Sequence, residues 1–318
     1  MNIKKLLIAA TMLAAATCAF AKTKIVTTIF PEYDWTKEIL GDKIKDAELT
    51  LLIGNGIDLH SYQPTIQDIA KINTADIFIY VGGESDAWVT DALKNVKNKK
   101  MKVINLMEVL GDKVKEEEVV EGMQAEEEHH HDEEEEEEEI EYDEHIWLSV
   151  RNAKILCEEI CNTLCSVDSK NASSYKTNYK AYASKLDKLD SDFAAVVKNA
   201  GTKTLLFGDR FPFRYFVDDY GLKYYAAFVG CSAETEASFE TIIFLVKKVD
   251  EFELKNVCQI ESGNGQIART IIESSKKKDA KILTFDSLQS TTTNDIKKGA
   301  TYLNLMQKNL DVLKKALN

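Results

Sequence analysis

Short apolar runs separated by helix-length stretches recur along this chain in two series, and that alternation restricts the possible fold more than any other feature. The runs at 24–30 (KIVTTIF), 49–53, 76–81 (DIFIYV) and 102–106 read as strands, with helices between them at 31–40, opened by Pro31, and at 64–74 and 86–96. A crossover of about ten helical residues brings the chain back to run in the same direction, so this spacing predicts a parallel sheet built from βαβ units. A second series runs through 204–207, 223–228, 257–260 and 281–285, with helices at 211–219, 238–252, 265–278 and 302–317. Between the two series, 146–167 and 171–199 read as helices. The second is polar except for Tyr175, Tyr179, Tyr182, Leu186, Leu189, Phe193 and Val196, whose spacing makes one apolar stripe. The expected class is α/β: two lobes, each a mostly parallel sheet flanked by helices, bridged by one long rigid helix. The expected divisions are a first lobe over 22–167, a linking helix over 168–200 and a second lobe over 201–318.

The first 21 residues carry Lys4 and Lys5, an apolar run over 6–16 and then Ala19-Phe20-Ala21. This is the pattern of a secretory signal cleaved before Lys22, and its apolar run is too short to cross a bilayer as a helix. Cys18 offers a site for lipid attachment, although Ala15-Ala16-Thr17 departs from the usual lipobox. The chain is therefore expected outside the cytoplasm, in a periplasm or on the extracellular face of the membrane. Five cysteines follow the signal, and an odd number excludes a complete disulfide set. Cys157, Cys161 and Cys165 recur every four residues beside Ile155, Ile160 and Leu164, which reads as a core helix face. Cys231 and Cys258 pair only if the fold brings them together.

The formal net charge of −13 is local: 18 acidic residues and no Lys or Arg lie between Glu116 and Glu144. That stretch, with His129-His130-His131 inside it and no apolar period, reads as a solvated disordered loop over 116–144, able to hold metal only loosely. The rest of the chain is mildly positive but shows no basic stripe or nucleic-acid-binding motif, so no nucleic-acid partner is expected.

In open parallel sheets, ligands gather beyond the carboxyl ends of the strands. Those ends select the loop over 54–60, Asp209, Glu261 and Asp286, each offering a metal-binding side chain. Of the five histidines, only His60 and His145 lie outside the acidic tract. Both are flanked by carboxylates and aromatics, a setting that suits zinc ligation and its outer hydrogen bonds.

Asp58-Leu59-His60-Ser61-Tyr62-Gln63-Pro64 resembles the first metal-ligand motif of the zinc and manganese solute-binding proteins of ABC transporters, the family once labelled adhesins. Asp143-Glu144-His145-Ile146-Trp147-Leu148-Ser149 resembles its second motif. The acidic, His-containing insert just before it resembles that of the zinc-specific branch. Tyr215-Phe216 with Tyr220-Gly221-Leu222 resembles the helix after the third ligand, and Phe285-Asp286-Ser287-Leu288 the segment bearing the fourth. The resemblance covers nearly the whole mature chain and implies an inter-lobe site made of His60, His145, a third residue and Asp286. Arg210 occupies the third-ligand position, and a guanidinium has no lone pair to donate. Asp209 is the substitute, with Glu261, Glu234 and Glu236 as rivals, or else the ion keeps three protein ligands and a water.

The resemblance thus implies a monomeric, non-enzymatic binding protein that takes up Zn2+, with Mn2+ as the alternative, and delivers it to an ABC permease. A secreted zinc hydrolase is the rival class, though no His-Glu-x-x-His motif is present. A surface adhesin is the third reading, but Trp35, Trp88 and Trp147 sit where core packing suits them better.

Overall fold

Strand β1 (Thr23–Thr27) buries Ile25, Val26 and Thr27, and a strand covered on both faces takes the centre of a parallel sheet. The computed structural model of the chain describes residues 22–94, 96–124, 141–232 and 236–318. From β1 the chain runs through α1 (Phe30–Leu40), β2 (Ala47–Leu51), α2 (Ile66–Asn73), β3 (Ile77–Tyr80), α3 (Trp88–Lys94), β4 (Lys102–Asn105) and α4 (Leu106–Leu110). These strands pair in the order β2-β1-β3-β4, all parallel. Helices α5 (Val150–Val167) and α6 (Ala172–Lys198) follow. The pattern then repeats with β5 (Thr204–Phe211), α7 (Arg214–Tyr220), β6 (Lys223–Val229), α8 (Phe239–Glu251), β7 (Asn256–Ile260), α9 (Gln266–Ser274), β8 (Lys281–Phe285), α10 (Thr293–Lys297) and α11 (Tyr302–Ala316). The second sheet has the order β6-β5-β7-β8, again parallel, so both lobes share one topology.

Helix α6 is 27 residues long and touches both lobes, packing on α1 and α5 of the first and on α7 and α11 of the second. Its buried stripe is Tyr175, Tyr182, Leu186, Leu189, Phe193 and Val197; Tyr179 and Val196 lie at the margins, half-buried. One continuous apolar core runs beneath it through both lobes. At its centre Trp35 meets Tyr302 edge-on, with ring centroids 5.2 Å apart. The Tyr302 hydroxyl donates to the Trp147 carbonyl at 2.8 Å, and the Trp147 indole N–H donates to the Ser287 carbonyl at 2.9 Å. These bonds tie the start of α5 to the second lobe.

Three features differ from the sequence expectation. Strand β5 runs on to Phe211, where a helix is expected from 211. Pro212 biases the residue before it toward extended backbone, and Gly208 lets the strand lie against α9, where an added Cβ would come within 2.7 Å of Ala268 Cα. Asp209 and Arg210 therefore sit within the strand and not beyond it. The acidic stretch is also more ordered at its ends than its charge suggests. Glu116 bridges antiparallel to Tyr142, and Gln124 donates its backbone N–H to Ala227 at 2.9 Å beside β6, with Met123 buried. Backbone pairing and one apolar anchor outweigh the local charge repulsion. His129–His131, Glu234 and the first 21 residues, Cys18 included, lie outside the described residues. Finally, α4 and α10 are short helices within stretches that carry no long periodic pattern. Cys231 and Cys258 are both free, and Cys157 and Cys161 are buried in the core. Trp35 and Trp147 are fully buried, and Trp88 packs partly buried against the core.

Asp34 of α1 is buried under the Trp35–Tyr302 contact; one oxygen accepts the Tyr302 N–H at 2.8 Å, and the other has no partner. Burial pushes its carboxyl up to about 6 despite that bond, so the folded state holds the proton more tightly than the unfolded chain. Its contribution is therefore favourable below the ordinary aspartate range and is lost as pH rises through about 6. Asp34→Asn keeps an acceptor and removes the charge. At pH 8 it is expected to stabilise the protein by about 3 kcal/mol, and at pH 4 to change stability little. Urea unfolding of both proteins at the two pH values checks this, and an equal effect at both would contradict it.

Candidate metal centre

His60 lies on a single 3-10 turn, Leu59–Ser61, in the connection from β2 to α2. Asp58 caps the turn, one oxygen accepting the His60 N–H at 3.1 Å, while the buried Leu59 anchors it to the core. The other Asp58 oxygen accepts from the Arg210 guanidinium on β5, in the opposite lobe. His145 starts a second such turn, Ile146–Leu148, in which all three residues are fully buried. Asp143 accepts both the His145 backbone N–H at 2.8 Å and the ring Nδ1 at 3.1 Å.

These two turns bring the rings together, tilted 56° to one another, with Nε2 of His60 3.1 Å from Nε2 of His145. The Asp143 carboxylate only accepts, so Nδ1 of His145 carries the hydrogen and Nε2 presents a lone pair. Nδ1 of His60 lies 2.7 Å from Ser85 Oγ and 3.4 Å from Glu144 Oε2, an oxygen buried without a hydrogen-bond partner. Two proton arrangements fit these distances. When Ser85 donates to Nδ1, His60 Nε2 carries the hydrogen and donates it to His145. When Nδ1–H turns to Ser85 and Glu144, both Nε2 lone pairs point into one gap, which is favourable only with a cation there. A tetrahedral zinc with bonds near 2.0–2.1 Å sets two nitrogens roughly 3.3 Å apart, close to the separation present.

The other walls are built to suit. Asp86 accepts the N–H groups of Val81 and Gly82, folding the loop that presents Ser85, and the Ser85 N–H donates to Glu144 at 2.8 Å. Beyond β6, Gly230 lies against the His145 ring, where a Cβ would come within 2.9 Å of Cε1 and 3.0 Å of Nδ1. Cys231 follows, and its Sγ and one nitrogen from each imidazole all lie within 4.8 Å of one another. The cavity here measures about 280 Å3 and is lined by His60, Cys231, Ser85 and the acidic side chains Glu84, Glu117, Glu141 and Glu144.

Burial, the neighbouring His145 and the Arg210 guanidinium pull the His60 imidazole down to about 3, against the opposing pull of Asp58. For Asp58, burial acts upward, but Arg210 and then His60 outweigh it and hold the carboxyl below its ordinary range. Burial raises Glu144, and burial with Asp143 nearby raises Glu117. Burial, reinforced by Asp143, Glu117 and Glu144, pushes the Cys231 thiol well up. Without a cation, the His60 imidazole is neutral and the Cys231 thiol keeps its proton.

The remaining sequence candidates are engaged elsewhere. Asp209 accepts the Ile260 N–H at 3.1 Å and the Arg210 N–H at 2.9 Å, holding β5 to the end of β7. Asp286 accepts the Leu288 N–H at 2.9 Å and lines a separate cavity of about 630 Å3 beside α11, together with Glu261, Asp295 and Lys298. Glu261 accepts from the Ser287 N–H and from the hydroxyls of Ser287 and Ser290. Glu236 is exposed. Cys231 was not among the candidates. The signal for it is its place two residues past the end of β6, the same strand-end rule that selected Asp209, Glu261 and Asp286.

The family described as zinc-uptake complex component A, periplasmic (ZnuA), matches residues 25–316. The chain is similar to the zinc-binding protein AdcA of Streptococcus pyogenes, with 29% identity over 308 residues that cover 93% of this chain and 56% of AdcA. It thus spans little more than half the length of that relative. It is also similar to the high-affinity zinc uptake system protein ZnuA of Bacillus subtilis, 30% identical over 98% of this chain and 96% of that protein. Among solved structures, the Zn(II)-bound ZnuA-like domain of Streptococcus pneumoniae AdcA matches at a TM-score of 0.71 and 29% identity, over 93% of this chain and 99% of that one. A match that runs from the first buried strand into the last helix, on a shared two-lobed fold, shows that the chain belongs to the ZnuA family of zinc-uptake components.

Proposed function

We propose that this protein is the extracytoplasmic receptor of an ABC metal importer: it captures Zn2+ between its lobes with His60 and His145 and presents it to a membrane permease. The observation that carries the reading is the convergence of two Nε2 atoms whose opposite ring nitrogens are held by Asp143 and Ser85. An imidazole tied at one nitrogen is pre-set to offer the other to a metal. The names and zinc-bound states of the similar proteins support zinc as the cargo. Among the described residues no helix is long and apolar enough to cross a membrane. Asp209 and Asp286 are bonded elsewhere, and the proposed nitrogen pair does not depend on them.

His60→Ala and His145→Ala are each expected to weaken zinc binding by roughly 100-fold or more, beyond the about 10–100-fold that loss of an outer partner costs. Competition titration against a chromogenic chelator, alongside thermal unfolding of each metal-free variant, measures this. Affinity unchanged in both folded variants would remove the proposal. Gly230→Ala tests the fit from a distance. Its added methyl would meet the His145 ring at 2.9–3.0 Å and the Phe211 carbonyl at 3.0 Å, so the ring must tilt. A loss of zinc affinity of about tenfold is expected, of the size seen when an outer partner is disturbed, and wild-type affinity would show that the ring's position is not critical.

A further inference from the structure

We propose that Cys231 is the third protein ligand of this centre, and that its thiolate makes the site select zinc-like, sulfur-tolerant cations and reject manganese. The proposal deepens the metal-capture reading and rests on it. The position expected to supply the third ligand holds Arg210, which has no lone pair and is committed to Asp58 across the cleft. Asp209 beside it is bound to two backbone N–H groups, and Glu261 at the end of β7 is bound to three donors. Among the described residues, the cluster of three possible metal donors is His60, His145 and Cys231, the last placed just past the end of β6.

The geometry of that approach is specific. Gly230 leaves no side chain between the turn and the His145 ring, so the chain passes close enough for the next residue to reach the gap. Glu117 accepts the Cys231 backbone N–H at 3.3 Å, fixing the turn from the side of the acidic stretch. Sγ and one nitrogen of each ring already lie within 4.8 Å of one another. A tetrahedral zinc, with bonds near 2.0–2.1 Å to nitrogen and 2.3 Å to sulfur, would set nitrogen and sulfur roughly 3.6 Å apart. Closing the difference takes about 1 Å, within the reach of side-chain rotation. The other described cysteines are placed differently: Cys157, Cys161 and Cys165 line α5, and Cys258 lies inside β7.

The chemistry follows from the donor set. On binding, the S–H bond of Cys231 breaks heterolytically, sulfur bonds to the metal, and the proton leaves to solvent; nothing is oxidised or reduced. Two neutral imidazoles and one thiolate suit zinc and cadmium, whereas manganese prefers oxygen donors. Glu84, Glu117, Glu141 and Glu144 on the cavity wall draw in the dication without supplying the bond that selects it.

The test loads the full-length purified protein with Co2+ as a spectroscopic probe. Wild type is expected to show visible bands of a tetrahedral ion and a near-ultraviolet sulfur-to-cobalt charge-transfer band. Cys231→Ser should lose the ultraviolet band and bind zinc roughly 100-fold more weakly, while Cys165→Ser keeps both. Cys231→Asp should narrow the preference for zinc over manganese, read by competition between the two ions. If wild type binds cobalt and zinc tightly, His145→Ala abolishes binding, and no sulfur band appears, then the metal centre stands and Cys231 is not a ligand. A band that persists in Cys231→Ser overturns the assignment equally. If wild type binds neither ion, the underlying capture reading fails with it. The wild-type spectrum decides the matter even if a variant does not fold.

Discussion

The turn from His145 to Ser149 is the point at which fold and site become one object. Its three apolar residues are fully buried, and Trp147 bonds to Ser287 in the second lobe while Tyr302 of the last helix bonds back to the Trp147 carbonyl. Each hydrogen bond is worth about 1 kcal/mol net, but breaking one would leave a buried polar group unpaired at a cost of about 1–3 kcal/mol. The two lobes are held together by that asymmetry and by the aromatic core around it. His145 therefore has little freedom to move. The ring that faces it, on the capped turn of His60, does not need a large closure to meet it, because the two nitrogens already stand at near-bonding separation for a shared ion.

Electrostatics around the pair sort protons from metal ions. A buried imidazole beside a second imidazole and a guanidinium resists protonation, and His60 is driven down accordingly. The same guanidinium would repel a metal dication if it stood alone. Asp58 takes up its charge in a direct ion pair, while Glu117 and Glu144 line the cavity beside His60. A proton gains a single charge's attraction to these acids and must still sit on a desolvated ring. A dication gains twice the attraction and two directional bonds. Arg210, which cannot ligate, thereby has a positive use in steadying the loop that carries His60, through a pair spanning 152 residues of sequence.

Much of this is legible in the residues alone. The alternation of strand and helix periods gave both sheets and the long helix, because a buried parallel strand and an amphipathic helix leave different apolar spacings. His60 and His145 stood out because their flanking residues carry the family's motifs. What sequence hid was partnership. Nothing local in Asp209 says that its carboxylate will cap the end of β7, and nothing local in Arg210 says that it will cross to Asp58. Strand β5 outran its expected end because Pro212 enforces extension on the residue before it, a signal that was present but outweighed by the apolar helix-like spacing beyond. Cys231 escaped notice because a lone cysteine reads as core or as half a disulfide until a neighbouring glycine is seen to clear its way to a histidine.

The acidic stretch gains its meaning from the same geometry. Read by composition, 116–144 is a solvated charge run set between the strand at 102–106 and the helix at 146–167. Its described ends are instead stitched to the site. Glu116 pairs with Tyr142, Gln124 is bonded to the edge of β6, and Glu117, Glu141 and Tyr142 line the cavity that holds His60 and Cys231. The chain thus enters and leaves its most acidic segment at the mouth of the metal centre. In a cleft with low-dielectric walls, carboxylates so placed raise the local concentration of cations. Their contribution is to the rate and place of arrival, since carboxylates attract calcium and magnesium as readily as zinc. Discrimination must come from the donors deeper in, where the imidazoles and, on the assignment proposed here, one sulfur impose a preference that charge alone cannot supply.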